Sequence, residues 1–205
     1  MGSGYPCRVS LTYNHSVPKM RLAVIMPVYN EAETVIDKID EVLALELNDV
    51  DTRLIVVASR STDGTNERLG AMPPSDRLKL IFQPLARGKG NAVREGLLHV
   101  HDGEVVLIQD ADSEYDTADY EHLLEPILTG SSTFVLGTRH VPGEPIRTME
   151  GEPISSFVTN VGHGLFCWLF NALYGVELSD PFTMYKIFPI SAVRGIEFSC
   201  DRFDF

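Results

Sequence analysis

The sequence predicts an α/β fold in three layers, with helices on both faces of a mostly parallel central sheet. Three observations carry this. Short uninterrupted apolar runs recur, of the kind strands show when both faces are buried; segments with one apolar helical face separate them; and a polar, glycine- or carboxylate-bearing loop follows each run. In such sheets ligands bind beyond the carboxyl ends of the strands, so those loops are where chemistry is sought.

Residues 1–19 hold Pro, Gly, Ser and Asn without periodicity and read as an irregular arm. Residues 22–26 form the first strand, stopped by Pro27, and Val35, Ile36, Ile39, Val42 and Leu43 then mark one face of a helix. Residues 54–57 are the second strand, after which Thr62, Asp63, Gly64 and Thr65 turn the chain into a short helix. Residues 78–82 are the third, and Gly88, Lys89 and Gly90 lead into a helix with Ala92, Val93, Leu97 and Val100 on one side. Residues 105–108 run directly into Gln109, Asp110, Ala111 and Asp112. A helix around Tyr120, Leu123, Leu124 and Ile127 and a fifth strand at 133–136 complete the alternation. From 141 the pattern changes to a Pro/Gly-rich loop and an apolar helix from about 157 to 174, expected to fold over the site. The expected organisation is therefore an arm, 1–19, and one domain, 20–205, in two halves, 20–140 and 141–205.

The formal charge of −12, from 29 acidic and 17 basic residues, argues against a nucleic-acid partner, which calls for a basic face. It is compatible with a cation cofactor. Cys7, Cys167 and Cys200 are scattered and make no metal-ligand spacing, which points to a reducing, cytoplasmic setting. The 157–174 segment reads as a buried core helix in preference to one resting on the cytoplasmic face of a membrane, because it lacks a basic polar side.

Asp110 and Asp112 stand two apart in an extended segment, so both side chains point the same way, and Glu114 continues the series. Carboxylates so placed suit a hard cation, Mg²⁺ or Mn²⁺, shared with a diphosphate. The same stretch also reads as a polar loop capping the next helix through Asp116 or Thr117. Asn30 reads either as a ligand contact or as a helix N-cap paired with Glu33 in a capping box. The 61–65 turn uses Gly64 for positive φ. Lys89 opens a helix with bare amides, a phosphate cradle, and Arg139 ends the fifth strand, where a guanidinium can clamp a diphosphate or make a surface ion pair. His163 reads as a packed histidine.

Taken together, Pro27-Val28-Tyr29-Asn30-Glu31, Ser61-Thr62-Asp63-Gly64-Thr65, Gly88-Lys89-Gly90-Asn91-Ala92, Asp110-Ala111-Asp112 and Gly137-Thr138-Arg139 resemble, in order and placement, the family-2 inverting glycosyltransferases of the Rossmann-like GT-A fold. Within them the chain resembles the dolichyl-phosphate mannose and glucose synthase branch. The resemblance implies a nucleotide-diphosphate sugar donor (UDP- or GDP-linked) and a lipid-phosphate or glycan acceptor. It implies a donor site of Pro27, Tyr29, Asn30, Glu31, Ser59, Lys89, Asp110, Ala111, Arg139 and Lys186, and a metal on Asp110, Asp112 and Glu114. Asp112 is then catalytic through the metal, and for a hydroxyl acceptor Asp180 or Asp204 is the candidate base. Two departures stand out. The family's usual Asp pair before the 61–65 turn is Ala58-Ser59 here, and 200–205 resembles the opening of a further motif that relatives continue, so a truncated chain is expected. Two other readings are a domain that binds nucleotide-sugar without turnover and a sugar nucleotidyltransferase; the latter calls for a Gly-rich basic loop where this chain has Pro27 to Glu31.

Overall fold

The computed structural model describes residues 19–138 and 153–198. Its elements are β1 (Met20–Val28), α1 (Val35–Ala44), β2 (Val50–Ala58), α2 (Thr65–Gly70), β3 (Leu78–Phe82), α3 (Lys89–Leu97), β4 (Glu104–Ile108), α4 (Tyr120–Leu128), β5 (Val135–Leu136), α5 (Pro153–Tyr174) and β6 (Lys186–Pro189), with short 3₁₀ turns at Thr117–Asp119 and Ile190–Ala192. The strands form one sheet in the order β3-β2-β1-β4-β6-β5. β1 to β4 pair in parallel, and β6 is the reversed strand, antiparallel to both β4 and β5.

Alternation along the central strands fills two cores. Leu22, Val24, Met26, Leu54 and Val56 face the side covered by α1, α2 and α4, packing on Val35, Ile39, Leu69 and Leu124. Ala23, Ile25, Ile55 and Val57 face the opposite side, against Ala92 and Val93 of α3. This is the expected three-layer sandwich. α3 lies close to β1 because Gly96 has no side chain: a Cβ there would stand 2.5 Å from Ile25 Cγ2, well inside contact distance. That close approach holds the start of α3, with Lys89, over the end of the sheet.

Four differences from the sequence expectation have physical causes. β1 does not stop at Pro27 but continues to Val28. Ile25 O accepts from Gln109 N, so Ile25 and Pro27 turn their polar groups toward β4, whose pairing with β1 ends at Ile25. The N–H that proline lacks would have had no ladder partner. β5 is two residues long rather than four. β6 was not anticipated, since its two buried apolar residues, Ile187 and Phe188, sit between Lys186 and Pro189 and show no period. Finally, α5 is not a core helix: Leu165, Trp168, Leu173 and Tyr174 are each more than half exposed. Its contacts with the rest of the chain include Cys167 and Asn171, which bond the backbone of Ser179 and Leu178, His163, beside Asp180 and Phe182, and Phe166, edge-on to Phe182. Among the described residues no helix is long and apolar enough to cross a membrane.

Candidate active site

Two loops at the carboxyl ends of β1 and β2 are clasped together. Asp63 accepts hydrogen bonds from Ala32 N (3.0 Å), Thr65 N (3.1 Å) and Thr65 Oγ1 (2.5 Å), while Thr65 Oγ1 accepts from Glu31 N (2.9 Å). These donors, the Thr65 hydroxyl foremost, hold the Asp63 carboxyl below its ordinary range. Asn30 takes φ 55° and accepts from Thr62 N at 2.9 Å, and its own N–H donates to Ser61 Oγ. It is therefore not a helix cap. α1 begins at Val35 with Thr34 at its cap position and no side-chain cap bond, so the expected capping box does not form. Gly64, at φ 96°, makes the tight turn the sequence called for. The clasp fixes the β1 loop as a rim around a cavity of about 510 Å³ whose lining includes Pro27, Tyr29, Glu31, Ser59, Lys89, Asp110, Ala111 and Asp112.

The acidic loop follows β4 and is anchored from below. Gln109 is fully buried; its Nε2 donates to Asp110 O and its Oε1 accepts from Tyr120 Oη at 3.0 Å. Beyond the carboxylates, Lys38 Nζ donates to Tyr115 O, Tyr115 Oη accepts from Met184 N, and Tyr185 Oη donates to Asp116 O at 2.7 Å. The Tyr115 and Tyr185 rings pack at a tilt, their centroids 4.3 Å apart. Asp116 caps the following 3₁₀ turn through Ala118 N. The capping reading of this loop is thus borne out at Asp116.

One ligand oxygen from each of Asp110, Asp112 and Glu114 can be chosen so that all lie within 4.8 Å of one another. Two oxygens on one small divalent ion at about 2.1 Å are at most about 4.2 Å apart, so the trio stands close to a ligating arrangement, and an all-oxygen donor set suits a hard cation. Asp110 is buried, with Oδ1 2.6 Å from Lys89 Nζ; the contact is an ion pair without good hydrogen-bond direction. Burial raises the Asp110 carboxyl above its ordinary range, Lys89 only partly opposing it and Asp112 and Glu114 adding to the rise. Glu31 is raised as well, first by burial and then by Asp112 and Asp110, against a hydrogen bond from Thr34. Carboxylates that push one another upward in a cavity form a place for positive charge.

The lining also includes the uncharged Ser59. Ser59, 3% exposed, donates to Gln83 Oε1 at 3.0 Å, and Gln83 Nε2 donates to Asn91 Oδ1 at 3.0 Å. Ser59 directly follows β2 and Asp110 lies two residues past β4, with β1 between those strands, so the two loops start roughly 10 Å apart, two strand spacings.

Of the residues singled out from the sequence, Pro27, Tyr29, Glu31, Ser59, Lys89, Asp110, Ala111 and Asp112 meet in this cavity, and Glu114 joins the acidic trio. Asn30 is spent on the clasp. Lys186 donates to Thr183 O at 2.7 Å at the start of β6, outside the cavity lining. The Asp180 side chain is fully enclosed, accepting from Phe182 N and lying 3.5 Å from His163, which makes His163 a partner rather than a merely packed ring. Arg139 and Asp204 lie outside the described residues. Sequence reasoning missed Gln83, Asn91, Gln109 and the tyrosines. The polar Gln109 directly after a buried run was the available signal for one of them.

The family model described as Glycosyl transferase family 2 matches residues 23–172. A dolichyl-phosphate beta-glucosyltransferase of Drosophila melanogaster is 31% identical over 194 residues, covering 86% of this chain and 57% of that protein. Glycosyltransferase AglJ of Haloferax volcanii is 25% identical over 182 residues, covering 89% and 54%. The chain spans about half the length of the curated relatives it matches. Glucosyl-3-phosphoglycerate synthase of Mycobacterium tuberculosis, solved with Mn²⁺, UDP and glucosyl-3-phosphoglycerate, superposes with a TM-score of 0.62 at 23% identity, covering 90% of this chain and 61% of that one. That likeness identifies the fold as GT-A.

Proposed function

The chain belongs to glycosyl transferase family 2, and from that premise we propose that it transfers a sugar from a nucleotide-diphosphate donor to an acceptor, with inversion and with help from Mg²⁺ or Mn²⁺. The observation that carries this reading is the convergence of Asp110, Asp112 and Glu114 at a cavity also lined by Pro27, Tyr29 and Ser59. The diphosphate lies at the acidic end and the nucleoside along Pro27 and Tyr29 toward Ser59. Asp110, Asp112 and Glu114 would hold a cation, which would supply Lewis-acid relief of the charge on the departing diphosphate. Lys89 adds a further positive group on the same side.

In the transfer step an acceptor oxygen forms a bond to the anomeric carbon as the bond to the diphosphate oxygen breaks. The electron pair leaves with the nucleoside diphosphate. A polyprenyl phosphate oxygen is already anionic and brings no proton to remove, whereas for a glycan hydroxyl the enclosed Asp180 leaves Asp204 as the candidate base. The exposed uncharged side of α5, with Trp168 and Tyr174, supports an acceptor met at a lipid surface. Flotation with neutral liposomes tests that part; the account expects binding that Trp168→Ser weakens, and no flotation of the unaltered chain contradicts it.

A thermal-shift screen of nucleotide diphosphates and their sugars, with and without Mn²⁺, tests the donor side, because a ligand bound only by the folded state stabilises it by mass action. A Mn²⁺-dependent rise is expected. No rise with any nucleotide contradicts the reading, and a rise without turnover on any acceptor leaves a binding domain instead.

A further inference from the structure

Among the described residues, Lys89 is the one basic side chain in the cavity lining, against the acids Glu31, Asp110 and Asp112. Its Nζ stands 2.6 Å from Asp110 Oδ1. That oxygen has no access to water and takes no well-directed hydrogen bond, so the ammonium is the group that offsets its charge. The pair joins two loops at the carboxyl edge of the sheet, because Asp110 lies two residues past β4 and Lys89 opens α3.

An ammonium and a divalent ion on one carboxyl group repel each other. With the ammonium 2.6 Å from Oδ1 and an ion at about 2.1 Å from either oxygen, the two centres would lie within about 7 Å. That is inside the screening length of physiological salt, and in a partly buried site the repulsion is stronger than in water. Lys89 has a second place to go. Its side chain is 24% exposed and sits on a flexible four-carbon stem. It stands in the first turn of a nine-residue helix, whose leading amides attract anions. A diphosphate bound there would draw the ammonium off Asp110.

We propose that Lys89 is a resident counter-cation of Asp110 that opposes a divalent ion until a diphosphate draws it away, so that metal and nucleotide diphosphate strengthen each other's binding. The exchange leaves every charge partnered: Asp110 passes from ammonium to cation, and Lys89 passes from carboxylate to phosphate. This rests on the donor-binding reading above and deepens it, because it assigns an order to the same site, with metal alone held weakly and metal with diphosphate held firmly. Linkage makes the effect reciprocal, since the factor by which a diphosphate raises metal affinity is the factor by which metal raises diphosphate affinity. Lys89 enlarges that factor by disfavouring the metal-only state.

Electron paramagnetic resonance of Mn²⁺, titrated with the full chain alone and with UDP present, tests this on the unaltered chain, Lys89→Met and Lys89→Arg. Without UDP, Lys89→Met is expected to bind Mn²⁺ at least about fivefold more tightly than the unaltered chain, the lower end of coupling between sites. With UDP present that gain is expected to disappear. Lys89→Arg keeps the charge and is expected to hold Mn²⁺ alone no more tightly than the unaltered chain. An affinity of Lys89→Met for Mn²⁺ alone at or below that of the unaltered chain overturns the proposal. An equal gain in Lys89→Arg also overturns it, because the gain would then not come from removing a charge. If Lys89→Met shows no cooperative melt, Lys89→Gln takes its place under the same criteria. Mn²⁺ binding with UDP but no gain on removing the ammonium overturns this inference alone, whereas no Mn²⁺ binding by the unaltered chain with UDP overturns the donor reading and this inference together.

Discussion

Asp63 and Asp110 both follow parallel strands of one sheet, both sit in family motifs, and their carboxyls are shifted in opposite directions. Asp63 is surrounded by donors, two backbone amides and a hydroxyl, and is held low. Asp110 is buried with an ammonium at one oxygen and two more carboxylates nearby, and is pushed up. A carboxylate whose acceptor capacity the protein itself uses is architecture: here it locks the β1 loop to the β2 loop. One that is desolvated, crowded by like charge and short of donors suits, on the proposed reading, a cation.

Substitution should separate the two sharply. Asp112→Asn or Asp110→Asn is expected to lower Mn²⁺-dependent nucleotide-diphosphate affinity by about a hundredfold or more, measured by calorimetry, whereas Asp63→Asn keeps metal dependence. Comparable metal dependence in all three would erase the distinction. Stability should move the opposite way. Asp63→Ala is expected to cost about 1–2 kcal/mol in urea unfolding, the scale of lost hydrogen bonds to a partly exposed charged group. Asp110→Asn without metal is expected to leave stability unchanged or raise it slightly, since it removes a carboxylate whose burial outweighs its ion pair.

The smallest effect is in the pH dependence of the metal-free protein. The carboxyl of Asp63 is depressed, so its contribution is present above its unfolded pKa and is lost as pH falls through its folded value. That of Asp110 is raised, so the folded state binds the proton more tightly, and stability declines as pH climbs from the ordinary carboxylate range through the raised folded value. Unfolding curves of Asp63→Asn and Asp110→Asn across that range should therefore depart from the parent with opposite slopes. Slopes of one sign would contradict the contrast.

Much of this was legible in the sequence because strand ends are local. A buried apolar run followed at once by Asp110 and Asp112 dictates both the sheet and the side on which the carboxylates emerge, and Gly64 in a Thr-Asp-Gly-Thr turn announces its own geometry. What escaped depends on contacts between distant segments. Nothing near Tyr115 says that its hydroxyl accepts from Met184, 69 residues on. Ser59 looked like the loss of an acid until Gln83 and Asn91 stood beside it. The α5 helix shows the limit of reading burial from hydropathy: an apolar segment indicates a preference for leaving water, not the surface that receives it, and here most of its described large side chains remain outside.

The central claim, that Asp110, Asp112 and Glu114 hold a divalent cation for a nucleotide diphosphate, is tested most directly by electron paramagnetic resonance of Mn²⁺. Titrating the chain into Mn²⁺ with UDP should quench the free-ion signal beyond the UDP-only control, and Asp112→Asn should abolish the difference. An equal signal with and without the unaltered chain, or full quenching by Asp112→Asn, would contradict the account.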